Sequence, residues 1–100
     1  MEQPIACSLD VDQAGTRLDE WRALAPAVRS ADRTDPTSLV VQIDGTDDQL
    51  AALAVLARKE AECCPFFAFA IEVSARELTF RVTVPADAAA VLDEFASLLG

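Results

Sequence analysis

Histidine is absent from this chain of 100 residues, and cysteine (three residues), glycine (three) and tryptophan (one) are rare. Without an imidazole, the chain alone cannot form Ser-His or Cys-His catalytic pairs, His-bearing zinc sites or imidazole general bases. Basic residues are also few, eight against seventeen acidic ones, which gives a formal net charge of −9 at pH 7. Because this charge repels phosphate backbones and anionic lipid headgroups, we expect neither nucleic acid nor a membrane to be a direct partner.

The N-terminal stretch "MEQPIACSLD" lacks both a basic region and a long apolar run, so it does not have the pattern of a signal peptide. No segment is apolar over the length that a bilayer requires. We therefore expect a cytoplasmic protein, and in that reducing compartment an odd number of cysteines favours thiols over a disulfide framework. The length and the apolar content of 52% predict a single domain over residues 1–100.

Hydrophobic periodicity predicts seven elements in the order β-α-β-α-β-β-α. They are a strand at 4–10, a helix at 12–30 that Pro26 kinks or splits, a strand in "PTSLVVQIDGTDD" that points Leu39, Val41 and Ile43 inward and turns at Gly45, a helix at 47–64, hairpin strands at 67–73 and 78–84, and a final helix from an Asp87 cap. Thr46 or Asp47 is the expected cap of the second helix, and Pro65 ends it.

This order predicts an α+β domain of two layers, in which helices cover one face of a four-stranded mixed sheet. The side chains that we expect to be largely buried are Cys7, Leu9, Trp21, Leu53, Phe67, Ile71, Phe80 and Phe95.

The segment "EAECCPFF" at residues 60–67 is the one place where the sequence makes chemistry plausible. At 100° per residue, Cys64 lies on the buried stripe of the second helix and Cys63 on its flank, beside Leu56. Glu60 lies at the edge of the core, one turn before both cysteines.

Two adjacent sulfurs can hold one soft ion, and Cys7 would supply a third thiolate if the first strand lies near the helix end. Thiolates select soft centres such as Hg(II), As(III) or Cu(I). Zinc fits less well because it takes four ligands, and here Glu60 or a water would have to join three sulfurs. The predicted metal site therefore consists of Cys7, Cys63, Cys64 and Glu60, with Glu60 beside the ion or as a proton acceptor.

The competing interpretation is that these cysteines only pack, since a buried cysteine behaves as a small apolar side chain. The pair also ends its helix, where the dipole disfavours a thiolate, although Lys59 stands one turn before Cys63 and offsets this effect. Cys63 is harder to explain by packing because a flanking thiol adds little burial and is open to oxidation.

The stretches "IACSL", "DEWRAL" and "EAECCPFFAFAIEV" resemble a family of small, largely uncharacterised bacterial proteins of about this length. In that family a Glu-x-x-Cys-Cys-x-Phe segment leads into an aromatic strand, and similar segments are associated with MerR-type regulators that respond to soft metals. The resemblance covers most of the chain and implies functional roles for Glu60, Cys63, Cys64 and Cys7. Pro26 departs from the pattern, which has an uninterrupted first helix.

Three functions remain open on the sequence. The first is binding or sensing of a soft metal or metalloid ion by the thiols. The second is a non-enzymatic interaction module, a homodimer that uses either the apolar region of Phe66, Phe67 and Phe69 or the face of the sheet as its contact surface. The third, an enzyme with Cys63 as a nucleophile or redox centre, has the least support because a helix C-terminus does not activate a thiol and no histidine can serve as base.

Overall fold

The computed structural model of this protein describes residues 11–99, with side chains from Gly15 onward. Its elements are α1 (Val11–Arg22), a 3-10 turn (Ala25–Ala27), β1 (Val28–Asp35), β2 (Ser38–Asp44), α2 (Asp47–Cys63), β3 (Ala68–Val73), β4 (Glu77–Thr83), a 3-10 turn (Ala86–Ala88) and α3 (Ala89–Leu99). The expected strand at 4–10, with Cys7 and Leu9, lies outside this range. No helix within residues 11–99 combines the length and apolar character that crossing a bilayer requires.

The four strands form one sheet in the order β1-β2-β4-β3. The α+β class and the four-stranded sheet are therefore confirmed. Each of the three pairings is antiparallel, however, whereas the sequence predicted a mixed sheet. The difference arises because the prediction did not include β1. A tight turn joins β1 to β2, so these two strands run antiparallel.

Pro26 is the reason that residues 12–30 do not form one helix. The helix ends at Arg22, Pro26 lies in the 3-10 turn, and the chain is extended from Val28. The following turn is fixed by Asp35, whose Oδ1 accepts hydrogen bonds from the backbone N–H (2.8 Å) and hydroxyl (2.9 Å) of Thr37. β1 was not among the predicted strands because its side chains are mostly polar and exposed, so the strand lacks alternation of apolar residues.

One face of the sheet carries the core. The inward residues of β2 and β4 are fully or almost fully buried, namely Leu39, Val41, Ile43, Leu78, Phe80 and Val82. Side chains of all three helices complete the same hydrophobic cluster, and those buried in it include Trp21, Leu53 and Phe95. The helices therefore cover one face of the sheet, as predicted.

Burial is confirmed for five of the predicted core residues, Trp21, Leu53, Phe67, Phe80 and Phe95. Ile71 was predicted buried and is only half-buried, because β3 lies at the edge of the sheet. The last helix begins at Ala89 after a 3-10 turn that contains Asp87, and it buries Leu99 more fully than Leu98.

Candidate functional site

The end of α2 positions the two adjacent cysteines. The helix begins at a Thr46 cap, whose side-chain oxygen accepts a hydrogen bond from the backbone N–H of Gln49 (3.1 Å). It ends at Cys63 because Pro65 disfavours helical geometry at the residue before it, and Cys64 has non-helical dihedral angles (φ −129°, ψ 82°). The predicted start of the helix at 47 and the Thr46 alternative for the cap are thus confirmed, and the helix ends one residue before the predicted position 64.

Glu60 is the centre of the site and not its margin. Its side chain is fully buried, although the sequence predicted it at the edge of the core. The reason is that the buried face of α2 is rotated about the helix axis relative to the prediction, so that Leu50 is only half-buried. The residues on this buried face are Leu53, Leu56, Ala57 and Glu60. Glu60 therefore lies on the middle of the inward face.

Two side chains of α1 satisfy the buried carboxylate. Trp21 donates from Nε1 to Glu60 Oε1 at 2.9 Å, and Arg17 donates from Nη1 to the same oxygen at 3.2 Å. Arg17 is itself 8% exposed, so the ion pair is enclosed by protein. The guanidinium also lies near Glu20, with Nε 3.8 Å from its Oε1.

Sequence reasoning missed Arg17 and treated Trp21 only as an apolar core residue. Two signals were available. The residues are four apart on one helix, so they project from the same face, and a buried indole N–H requires an acceptor that the core must supply. Glu60 is that acceptor.

Both cysteines lie beside the Glu60 carboxylate, but they differ in burial. Cys64 is fully buried, and its Sγ donates to Glu60 Oε2 at 3.8 Å. Cys63 is half-buried, and Arg17 Nη1 lies 3.9 Å from its Sγ. The inward position of Cys64 and the flanking position of Cys63 are as the helical phasing predicted.

The cation beside Cys63 is Arg17, where the sequence suggested Lys59. Lys59 instead pairs with Glu20, with Nζ 3.6 Å from Oε2. Arg17 therefore contacts both the carboxylate of Glu60 and the sulfur of Cys63, and it links the two parts of the site.

Of the four predicted metal ligands, Cys7 lies outside the described range. The other three, Cys63, Cys64 and Glu60, belong to one cluster with Arg17. Within residues 15–99, no three His, Cys, Asp or Glu side chains form a group that could hold a metal ion. In this part of the chain the arrangement offers two adjacent sulfurs at most.

The aromatic segment after Pro65 belongs largely to the core. Phe67 is buried, and its ring centroid lies 5.0 Å from that of Phe66 and 5.2 Å from that of Phe69. Phe69 also stacks on Phe80 at 5.4 Å. Phe66 and Phe69 are half-buried, so these rings do not form an open aromatic surface.

Burial raises the pKa of the Glu60 carboxyl above its usual value of 4.5, against the opposing effects of the Trp21 hydrogen bond and the Arg17 charge. The folded protein therefore holds a proton on Glu60 over a range in which the unfolded chain has lost it. By linkage, this group's contribution to stability is complete below pH 4.5 and is lost as the pH rises through the folded pKa.

We expect the wild type to lose stability relative to Glu60→Gln as the pH rises above the usual carboxyl pKa, since glutamine stays neutral. Urea unfolding of both proteins between about pH 4 and pH 8 measures the difference, in which the titration of the other carboxylates cancels. Two stability curves that stay parallel across this range would contradict the assignment.

No protein-family model, curated protein or solved structure matches this chain.

Proposed function

We propose that the chain binds a soft metal or metalloid ion in the cytoplasm, with the thiolates of Cys63 and Cys64 as ligands and Glu60 beside them. The observation that carries the proposal is the 3.9 Å contact between Arg17 Nη1 and Cys63 Sγ at a half-buried position. A guanidinium held there is complementary to the negative charge that a thiolate ligand carries.

The chemistry matches the number of sulfurs. Hg(II) is satisfied by two thiolates in the reaction Hg²⁺ + 2 RSH → Hg(SR)₂ + 2 H⁺, and Cu(I) likewise prefers sulfur ligands. As(III) takes three, in the reaction As(OH)₃ + 3 RSH → As(SR)₃ + 3 H₂O. Cys63 and Cys64 are sufficient for the first reaction, whereas the second requires Cys7.

Single cysteine replacements test the proposal, with binding measured by competition against a thiol chelator. We expect Cys63→Ser to abolish tight binding of both Hg(II) and As(III) with little loss of stability, since Cys63 is only half-buried. Cys64→Ser should abolish binding and also destabilise the fold, because a hydroxyl that is poorly hydrogen-bonded in the core costs about 1–3 kcal/mol. Cys7→Ser should abolish As(III) binding and leave Hg(II) binding in place.

Unchanged Hg(II) affinity in Cys63→Ser would show that the adjacent cysteines only pack. Loss of Hg(II) binding in Cys7→Ser would show that the ion is held by a different pair. Thermal unfolding of each variant without metal separates loss of the site from loss of the fold.

Self-association is the second candidate function, and the observation that favours it is the edge strand β3. Along its inward face, exposure increases from the half-buried Phe69 and Ile71 to Val73, which is 63% exposed. Val73 is a large apolar side chain that lies in line with Phe69 and Ile71 on one face of the strand. An exposed apolar row of this kind is a surface that a protein partner typically covers.

A further inference from the structure

We infer that the chain forms a homodimer in which β3 pairs antiparallel with β3 of a second copy, in a register centred on Ile71. The inference rests on self-association as a function of the chain and is independent of the thiol site. The surface is the edge of β3 that faces away from β4, with which no strand among the described residues 11–99 pairs.

The hairpin geometry shows which backbone groups face outward from β3. Ser74 donates from its backbone N–H to the carbonyl of Glu77 at 3.0 Å, so these two residues form a hydrogen-bonded pair. Because such pairs alternate along an antiparallel ladder, Glu72–Thr79 and Ala70–Arg81 are also hydrogen-bonded pairs. The backbone groups of the intervening residues, Phe69, Ile71 and Val73, therefore point away from β4.

The two edge strands of the sheet differ in how they resist pairing. β1 carries four charged residues, and its register with β2 is irregular in two places. Such charges and bulges prevent strand addition. β3 contains neither proline nor lysine, its register is regular, and its one charge, Glu72, is paired with Arg81 Nε at 2.8 Å. Only β3 is suited to accept another strand.

The outward groups and the sheet faces limit the register, and the use of all three outward residues of β3 then selects one. Residues whose backbone groups point away from β4 must pair with residues of the same kind in the second copy. The apolar side chains of the two strands must also lie on the same face of the combined sheet. A two-fold axis at Ile71 satisfies both conditions, since it pairs Ile71 with its own copy and Phe69 with Val73 of the second copy. Every outward group of β3 is then used, and the exposed Val73 packs beside an aromatic ring.

On the solvent face, this register places Ala70 directly opposite Glu72 of the second copy. Ala70 is exposed, so a charge introduced there tests the contact without disturbing the core. We expect Ala70→Glu to raise the dimer dissociation constant about tenfold, because like charges then face each other twice across the axis. Ala70→Lys should leave the constant unchanged or lower it, since lysine would face Glu72. Thr34→Glu on β1 is the matched control and should have no effect.

Sedimentation velocity over about 1–500 µM provides the dissociation constants for comparison with these expectations. A wild type that stays monomeric throughout overturns both the pairing and self-association. A dimer that Ala70→Glu leaves intact overturns the pairing alone. If Ala70→Glu and Ala70→Lys both weaken the dimer, the register centred on Ile71 is wrong. Residue 70 lies opposite its own copy only when the two-fold axis passes through Ala70. Metal binding by monomer and dimer is measured separately, so failure here does not affect the thiol proposal.

Discussion

Replacing Arg17 by methionine is expected to lower the free energy of unfolding at neutral pH by about 3 kcal/mol. The substitution removes the guanidinium that lies 3.2 Å from Glu60 Oε1 and leaves a fully buried carboxylate without its cation. In a domain of this size such a loss lowers the melting temperature by roughly 12–24 °C. Methionine preserves the apolar stem and the helix propensity, so the effect reports the charge.

Glu60→Gln is expected to cost much less than Arg17→Met. The glutamine oxygen still accepts the hydrogen bond from Trp21 Nε1, and Arg17 retains the Glu20 carboxylate at 3.8 Å. The double variant, Arg17→Met with Glu60→Gln, should recover most of the lost stability because no buried charge remains. Thermal and urea unfolding of the four proteins form one double-mutant cycle. Additive losses in the double variant would show that Arg17 acts through packing and not through its charge.

Replacing Phe95 by alanine is expected to cost about 3–5 kcal/mol, which removes a large part of the stability of a domain of this size. Phe95 connects α3 to the rest of the core, since its ring lies edge-on to Trp21 at 4.8 Å and tilted against Phe67 at 5.5 Å. The side chain is fully buried, so its removal leaves a cavity in the core. Urea unfolding measures the loss.

Phe66→Ala is the matched control for Phe95→Ala. The two variants delete the same ring, but Phe66 is half-buried and its ring contact is with the adjacent Phe67. We expect it to cost less than half as much as Phe95→Ala. Equal losses would show that the half-buried Phe66 contributes as much to the stability of the core as Phe95 does.

The elements that were predictable are those whose side-chain period agrees with a local signal. Helix α2 has an apolar period between a threonine cap and a proline, and the β3–β4 hairpin alternates on both sides of a polar turn. β1 was not predictable because its side chains are mostly polar and exposed, so the strand has no apolar alternation to detect. β1 forms a strand because it pairs with β2, and this tertiary contact leaves no local pattern in the sequence.

The candidate site divides in the same way. The inward position of Cys64 and the flanking position of Cys63 follow from helical geometry alone. The burial of Glu60 does not, because periodicity ranks a glutamate as polar and places it on the margin. Its central position depends on Arg17 and Trp21 of another helix, which offset the cost of burying the charge.

The strand order also bears on the kinetics of folding. Each hairpin, β1–β2 and β3–β4, brings together contiguous chain, whereas β2 and β4 join Val41 to Phe80 across the whole of α2. Closing that loop is the largest entropic step in forming the sheet, and distant pairings of this kind slow folding. We therefore expect the two hairpins to form before they pair with each other. The pairing of Val41 with Phe80 is then the rate-limiting step of folding, and the length of chain through α2 sets the height of its free-energy barrier.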